Sequence, residues 1–448
     1  MHYKDYFQGK KITVMGLGLL GRGINDVKFL AECGADLIVT DLKNKKDLAE
    51  SLAQLTDYPQ ITYVLGEHRI EDFQNRDLIL KAAGVPIDSV FIAEARKNKI
   101  PIEMDESLFF KLAPPTVTLI GITGTRGKTT TTALIFEILK NAHGEGTVHL
   151  AGNIRGLATL PLLAVIQPKD IVVLELSSWQ LQGFGDAQIS PNIAVFTNFM
   201  PDHLNYYKNS MHAYFGDKAN IFAYQGSHNF LIMGEEVAGL IEEKFGKRAR
   251  AKKIIAGAGD VPPSWKLAIK GVHNKENIAL AKAVGDVLRI PIKTIQQAVE
   301  SFIGVEGRMQ YLRTVRGIDI YNDTTATTPE ATLVALKALS QNKNIVLIMG
   351  GADKTLDMSH LLKNISQYCS AVVLLAGTGT LKIQKDIMQL KNISHCHAST
   401  LSEALTQAMD SARTGDTVLF SPAFASFGMF KNEFDRGDQF SELVKGLQ

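Results

Sequence analysis

The sequence predicts an α/β protein with three domains in series. These are a Rossmann-like N-terminal domain, a central domain with a mostly parallel sheet around a P-loop of the ATPase type, and a C-terminal Rossmann-like α/β domain. Three observations carry this prediction. Short apolar, β-branched runs alternate with helix-patterned stretches along the whole chain. Two glycine-rich turns, Gly16–Gly21 and Gly124–Gly127, each follow such a run and open a helical stretch. The chain has 448 residues, more than one ordinary domain holds. The expected boundaries are 1–113, 114–305 and 306–448.

The first domain opens with "KKITVMGLGLLGRGINDVKFLAECGADLIVTD". Ile12 to Met15 reads as a strand, Asn25 to Cys33 as a helix, and Leu37 to Thr40 as a second strand ending at Asp41. Gly16, Gly18 and Gly21 fit GxGxxG, with an acid about 20 residues on. The residues alone leave two readings open, a diphosphate-binding turn or a tight turn that binds nothing. Pro114 and Pro115 suit a linker. Val117 to Ile120 then forms a strand, and "DIVVLELSS" and "NIAVFTNF" supply later ones. The third domain follows from strands "GIDIYND", "KNIVLIMGG", "AVVLLAG" and "GDTVLFSPA", separated by helices around "PEATLVALKAL" and "LSEALTQAMDSAR".

Composition excludes several classes. Apolar residues are 45% and charged residues 21%, with a net charge of +2, so no strong field favours nucleic acid or membrane. Cys33, Cys369 and Cys396 are scattered without a CxxC pair, which suits a reducing compartment rather than a disulfide framework or a zinc site. The His395-Cys396-His397 run has no second ligand pair nearby. The N-terminus lacks the apolar stretch of a signal peptide, and a cytoplasmic location is expected.

"GITGTRGKTTTT", Gly121 to Thr132, carries the chemistry. Gly124 and Gly127 frame a turn whose N–H groups can face phosphate oxygens at a helix start. Thr125 and Arg126 complete the turn, and Lys128 can reach terminal phosphates. The Thr129 hydroxyl, followed by Thr130, can coordinate Mg²⁺. The longer P-loop pattern wants glycine where Ile122 stands, so a tighter loop is expected. Threonines are poor helix formers, and the sequence does not explain their run here.

"GITGTRGKTTT" resembles the ATP loop of the Mur ligases, and the resemblance extends over nearly the whole chain in matching order. "AGNIRG" is similar to their GGNIG turn, which implies that Asn153 faces a nucleotide-sugar substrate. "LELSSWQL" resembles a strand end whose acid, here Glu175, holds Mg²⁺. "TNFMPDHLNYY" implies a second-metal ligand in His203, and "YFGDKANIF" places Lys218 at a lysine that is carbamylated in the family. "GVHNKENIALA" implies Asn274 near the adenine. Taken singly, Glu175 reads as a strand-end acid, His203 as a satisfied hydrogen-bonding group and Lys218 as a snorkelling surface residue.

The resemblance further implies Arg308 at the γ-phosphate and Asp323 on the ribose, where the local alternative is an Asx turn. Glutamate is expected to be held by Thr327, Lys354 and Ser426. The UDP part is assigned to Gly18, Leu19, Leu20 and Asp41, with hinges near Pro114 and Gly304–Gly307. Lys128, His203, Lys218 and Arg308 form the expected catalytic set, with ATP and two Mg²⁺ ions as cofactors. A monomer acting on small molecules is expected.

"SPAFASFGMFKNEFDRGDQF" resembles the glutamate-adding branch, which implies addition of D-glutamate to UDP-N-acetylmuramoyl-L-alanine through an acyl phosphate. That branch carries a lysine where Thr325 stands, so Lys354, Lys431 or Arg436 is expected to compensate. The "TTPE" stretch also resembles an L-glutamate-using branch. Another Mur or folylpolyglutamate-type ligase, or a nucleotide-sugar-binding protein without catalysis, stand as alternatives.

Overall fold

The computed structural model describes residues 2–18, 21–86, 88–143 and 147–448. Leu19 and Leu20 lie outside the described residues. The chain forms two compact bodies. One comprises Met1–Val261 with Glu276–Ala298, the other Pro262–Lys275 with Val299–Gln448.

The first body contains two parallel sheets. The first sheet joins β1 (Lys11–Met15), β2 (Asp36–Asp41), β3 (Thr62–Leu65), β4 (Leu78–Lys81) and β5 (Ile102–Glu103) in the order β3-β2-β1-β4-β5. The second joins β6 (Thr118–Thr123), β7 (Val148–Gly152), β8 (Ile171–Glu175), β9 (Ile193–Phe196), β10 (Phe230–Gly234) and β11 (Lys252–Ala256) in the order β11-β10-β9-β6-β8-β7. In each sheet the first strand lies between strands reached by oppositely directed crossovers. A crevice therefore opens at its C-terminal end, where ligands bind in open α/β sheets. Both glycine turns occupy such a position. The sequences "IVVLE" and "IAVF" are buried throughout, as strands covered on both faces must be.

The second body contains β12 (Gln310–Val315), β13 (Ile318–Asn322), β14 (Ile345–Gly350), β15 (Cys369–Leu375), β16 (Ser394–Ala398) and β17 (Thr417–Phe420), ordered β12-β13-β17-β14-β15-β16. All pairs are parallel except β12 with β13. The His395–His397 run lies in the edge strand β16.

Elements read from the sequence shift only at their ends. The first long helix spans Arg22–Glu32 rather than Asn25–Cys33, because Gly21 at φ 87° caps it directly. Strand β6 continues to Thr123, three residues past the apolar run, since Thr123 stays paired with Phe196. No helix among the described residues is long and apolar enough to cross a membrane.

Candidate active site

The loop between β6 and the helix Lys128–His143 contains Gly124, Thr125, Arg126 and Gly127. Gly127 has φ 80°, and a Cβ there would meet Asn277 Oδ1 at 2.3 Å. The loop is pinned from the segment after β9: Thr125 N donates to the Asn198 carbonyl at 2.9 Å, and Arg126 N to Asn198 Oδ1 at 2.9 Å. Lys128 Nζ curls back onto the carbonyls of Gly124 and Thr125, each at 3.1 Å. Thr129 and Thr130 occupy the first turn of the helix. The threonine run has a partial explanation in packing: buried Thr131 donates its hydroxyl to Asn277 Oδ1 at 3.2 Å. The sequence reading singled out Asn274 and passed over Asn277, one helical turn on. Asn274 donates its amide to the Lys270 carbonyl at 2.8 Å.

Lys218 lies on the helix Met211–Ala219 and is 2% exposed, not a surface residue. Its Nζ donates to the Gly124 carbonyl at 2.7 Å, so both lysines converge on one oxygen. Burial, then the neighbouring Lys128 charge, hold the Lys218 amine well below its ordinary pKa, which favours the neutral form. His203, at φ 53°, sets its ring 4.9 Å from that of Trp179. Burial lowers its pKa against the opposing pull of Asp202, so the imidazole favours the neutral form with a free lone pair.

Glu175 ends β8 in register with Ile122. Its Oε1 accepts from Asn153 Nδ2 at 3.1 Å, while Oε2 is buried without a hydrogen-bond partner. A buried, unpartnered carboxylate oxygen is a hard donor of the kind Mg²⁺ takes, so the residues present fit that ion. Asn153 Oδ1 accepts from Arg22 at 3.0 Å, and Arg22 also bonds Glu106 at 3.1 Å. Sequence reading missed both Arg22 and Glu106, because nothing in a single chain pairs residues so far apart. The adjacent Ser177 caps the helix Ser178–Ala187 in a capping box with Gln180 and is structural.

The glycine turn after β1 is organised by Asp41. Its Oδ2 accepts from Leu17 N at 2.9 Å and Gly18 N at 3.1 Å, and its Oδ1 from Lys43 N at 2.9 Å. Beside the turn lies a cavity of about 220 Å³ lined by Gly16, Gly18, Arg22, Lys81 and Asp105 among others.

In the second body, Arg308 sits on a turn held from several sides. Its N–H bonds the Val305 carbonyl at 3.1 Å, and Met309 N donates to Asp323 Oδ1 at 3.0 Å. Thr325 donates its hydroxyl to the Gly307 carbonyl at 2.9 Å. Asp323 also accepts from Ser421 Oγ at 2.8 Å, and burial raises its carboxyl to about 7. The Asx contact at this position belongs to Asn322, which accepts from Thr324 N at 3.1 Å. Lys354 Nζ donates to Thr327 Oγ1 at 3.0 Å, so these two expected site residues meet. Ser426 is buried in the loop after β17, which is laced to the loop after β14 through Ala352 and Ala425.

One expectation is corrected. Arg436 is fully buried and bonds Thr324 Oγ1, the Thr324 carbonyl at 2.8 Å and the Phe424 carbonyl at 3.2 Å. Its cation is committed to bracing those loops and does not compensate for Thr325.

The Mur ligase MurD-like N-terminal domain profile matches residues 10–103, the Mur ligase middle domain residues 122–295, and the Mur ligase glutamate ligase domain residues 307–424. The chain is 36% identical to the UDP-N-acetylmuramoylalanine–D-glutamate ligase of Roseiflexus sp. (strain RS-1), covering 98% of this chain and 99% of that protein. It is 35% identical to the protein of the same name from Borreliella afzelii (strain PKo), covering 99% of each. Among solved structures, the UDP-N-acetylmuramate-alanine ligase MurC of Thermotoga maritima superposes with TM-score 0.61 at 21% identity, over 97% of this chain and 99% of that one. The MurF ligase of Thermotoga maritima superposes with TM-score 0.58 at 17% identity, over 99% and 96%. With three Mur ligase domain matches along its length and near-full-length relatives at 35–36% identity, the chain belongs to the Mur ligase family.

Proposed function

We propose that the protein is an ATP-dependent ligase that joins D-glutamate to UDP-N-acetylmuramoyl-L-alanine in peptidoglycan precursor synthesis. The observation that carries the reading is the constellation at the end of β6 and β8. It comprises a phosphate loop with Lys128, a second lysine buried against the same loop carbonyl, and a buried carboxylate oxygen without a partner. The substrate assignment follows the relatives, which carry that name over nearly their full length.

A carboxylate and an amine do not condense in water unaided. In the proposed reaction an alanyl carboxylate oxygen attacks the γ-phosphorus, the bond to the bridging oxygen breaks, and ADP leaves. The glutamate amine then attacks the acyl carbon and loses a proton, and orthophosphate departs with the former carboxylate oxygen. Catalysis is positioning and charge stabilisation, without a protein nucleophile. The Thr125 and Arg126 N–H groups are given to Asn198, so the backbone N–H groups from Gly127 into the first turn of the helix, with the Lys128 ammonium, hold the phosphates. Thr129, Glu175, His203 and a carbamylated Lys218 would hold two Mg²⁺ ions, which supply charge neutralisation between phosphate and carboxylate. The low pKa of Lys218 supports the carbamate, because a neutral amine is the form that captures CO₂.

Gly18, Leu19, Leu20, Asp41 and Asn153 are assigned to the nucleotide sugar. Asn274, Arg308 and Asp323 are assigned to ATP, and Thr327, Lys354 and Ser426 to glutamate. Lys354 is the cation that stands in for the one absent at Thr325. The test is orthophosphate release with D- and L-glutamate offered separately. Turnover with D-glutamate alone supports the assignment. Turnover with only the L isomer, or with neither, refutes it.

A further inference from the structure

Three polar contacts join the glycine turn of the first sheet to the carboxylate that ends β8. Arg22, the first residue of its helix, forks. NH1 reaches Glu106 Oε1 at 3.1 Å and NH2 reaches Asn153 Oδ1 at 3.0 Å. Asn153 then donates Nδ2 to Glu175 Oε1 at 3.1 Å, and its backbone N–H to the Glu175 carbonyl at 2.7 Å. Glu106 is fully buried and is also bonded by Gln180, so the far anchor is fixed.

The order of donors and acceptors decides the geometry. A guanidinium only donates, and an ionised carboxylate only accepts. Between them the Asn153 amide has one favourable orientation, with its oxygen toward Arg22 and its nitrogen toward Glu175. Turning it over would set N–H against N–H and oxygen against oxygen. Arg22 and Glu175 together fix the amide, with Arg22 anchoring its oxygen, and the amide occupies Oε1 and leaves Oε2 without a partner. The bidentate fork does this with little loss of side-chain freedom, whereas a lysine offers only a point charge.

We propose that Arg22 is a positioning residue for the cation-holding carboxylate. Through Asn153 it orients Glu175, and it couples the cavity beside the glycine turn to the metal ligand. The inference rests on the reading of Glu175 as a Mg²⁺ ligand. Partners of this kind, one contact removed from a metal, change affinity by about 10–100-fold when removed.

The test uses the full-length protein with ADP, and Mn²⁺ as the probe, following the free ion by electron paramagnetic resonance. Replacing Arg22 alone would strand Glu106, so the main variant is Arg22→Met with Glu106→Gln. Its Mn²⁺ dissociation constant is expected to rise at least about tenfold. The Mg²⁺ concentration for half-maximal turnover should rise by a similar factor, with the ATP KM at saturating Mg²⁺ little changed. Glu106→Gln alone keeps the contact between Arg22 and Asn153 and should retain Mn²⁺ affinity. Should the double variant not fold, Arg22→Lys decides, with a severalfold rise expected because a point charge cannot bond Glu106 and Asn153 in the fixed fork and holds the Asn153 oxygen less firmly. A folded variant lacking the fork that binds Mn²⁺ as the unaltered protein does overturns the inference alone. Failure of the unaltered protein to bind Mn²⁺ with ADP overturns the reading of Glu175 and the inference with it.

Discussion

Gly127→Ala is the sharpest probe of the phosphate loop. Gly127 has φ 80°, and an added Cβ would stand 2.3 Å from Asn277 Oδ1. A left-handed backbone costs an alanine about 1–2 kcal/mol. Asn277 must also retreat from Thr131, whose hydroxyl it accepts at 3.2 Å in a buried setting. Breaking that contact adds about 1–2 kcal/mol, since both groups stay inside. The sum is about 2–4 kcal/mol. Divided by a urea m-value of about 3 kcal/mol/M, it lowers the unfolding midpoint by about 1 M. The assay is urea unfolding followed by Trp179 fluorescence in a Trp265→Phe background, paired with an ADP titration. ADP affinity should fall as well, because the backbone N–H groups proposed to face phosphate are displaced. An unchanged midpoint together with unchanged ADP affinity would refute the account of this loop.

Three further outcomes follow from the same geometry. Asp323 titrates near 3.9 when unfolded and near 7 when folded, so between those values the folded protein holds a proton the unfolded chain has lost. Stability therefore falls by up to about 4 kcal/mol as pH rises from about 4 to 7 and stays low above that. Asp323→Asn should flatten this dependence, and parallel pH curves for the two proteins would contradict it. Arg436→Met should lower urea stability of the second body by about 2–4 kcal/mol, because three hydrogen bonds inside the fold are lost. No change would show that Arg436 braces nothing. Lys218→Ala should abolish turnover and regain part of it with added acetate or formate, as steady-state assays would reveal. Full activity in the variant would remove the carbamate.

Much of the fold was legible because the inner strands of the central and C-terminal sheets, β8, β9, β14, β15 and β17 among them, are near-continuous apolar runs, as parallel strands covered on both faces must be, whereas edge strands such as β12 and β16 are polar or alternating. The phosphate loop was legible because strand, glycine turn, lysine and helix follow one another within a dozen residues. The buried state of Lys218 was not, since nothing in "YFGDKANIF" shows that its helix packs under the loop and brings Nζ to Gly124, 94 residues earlier. Arg436 misled for the same reason: a charged side chain reads as exposed until tertiary contacts enclose it. The bond between Arg22 and Asn153 spans 131 positions, beyond any local pattern.

The central claim is that an alanyl carboxylate becomes an acyl phosphate before the amine arrives. UDP-N-acetylmuramoyl-L-alanine labelled with ¹⁸O in its carboxylate tests this directly, with D-glutamate, ATP and Mg²⁺ present and the released orthophosphate analysed by mass spectrometry. The account predicts one labelled oxygen in each orthophosphate formed; unlabelled orthophosphate accompanying amide formation would contradict it.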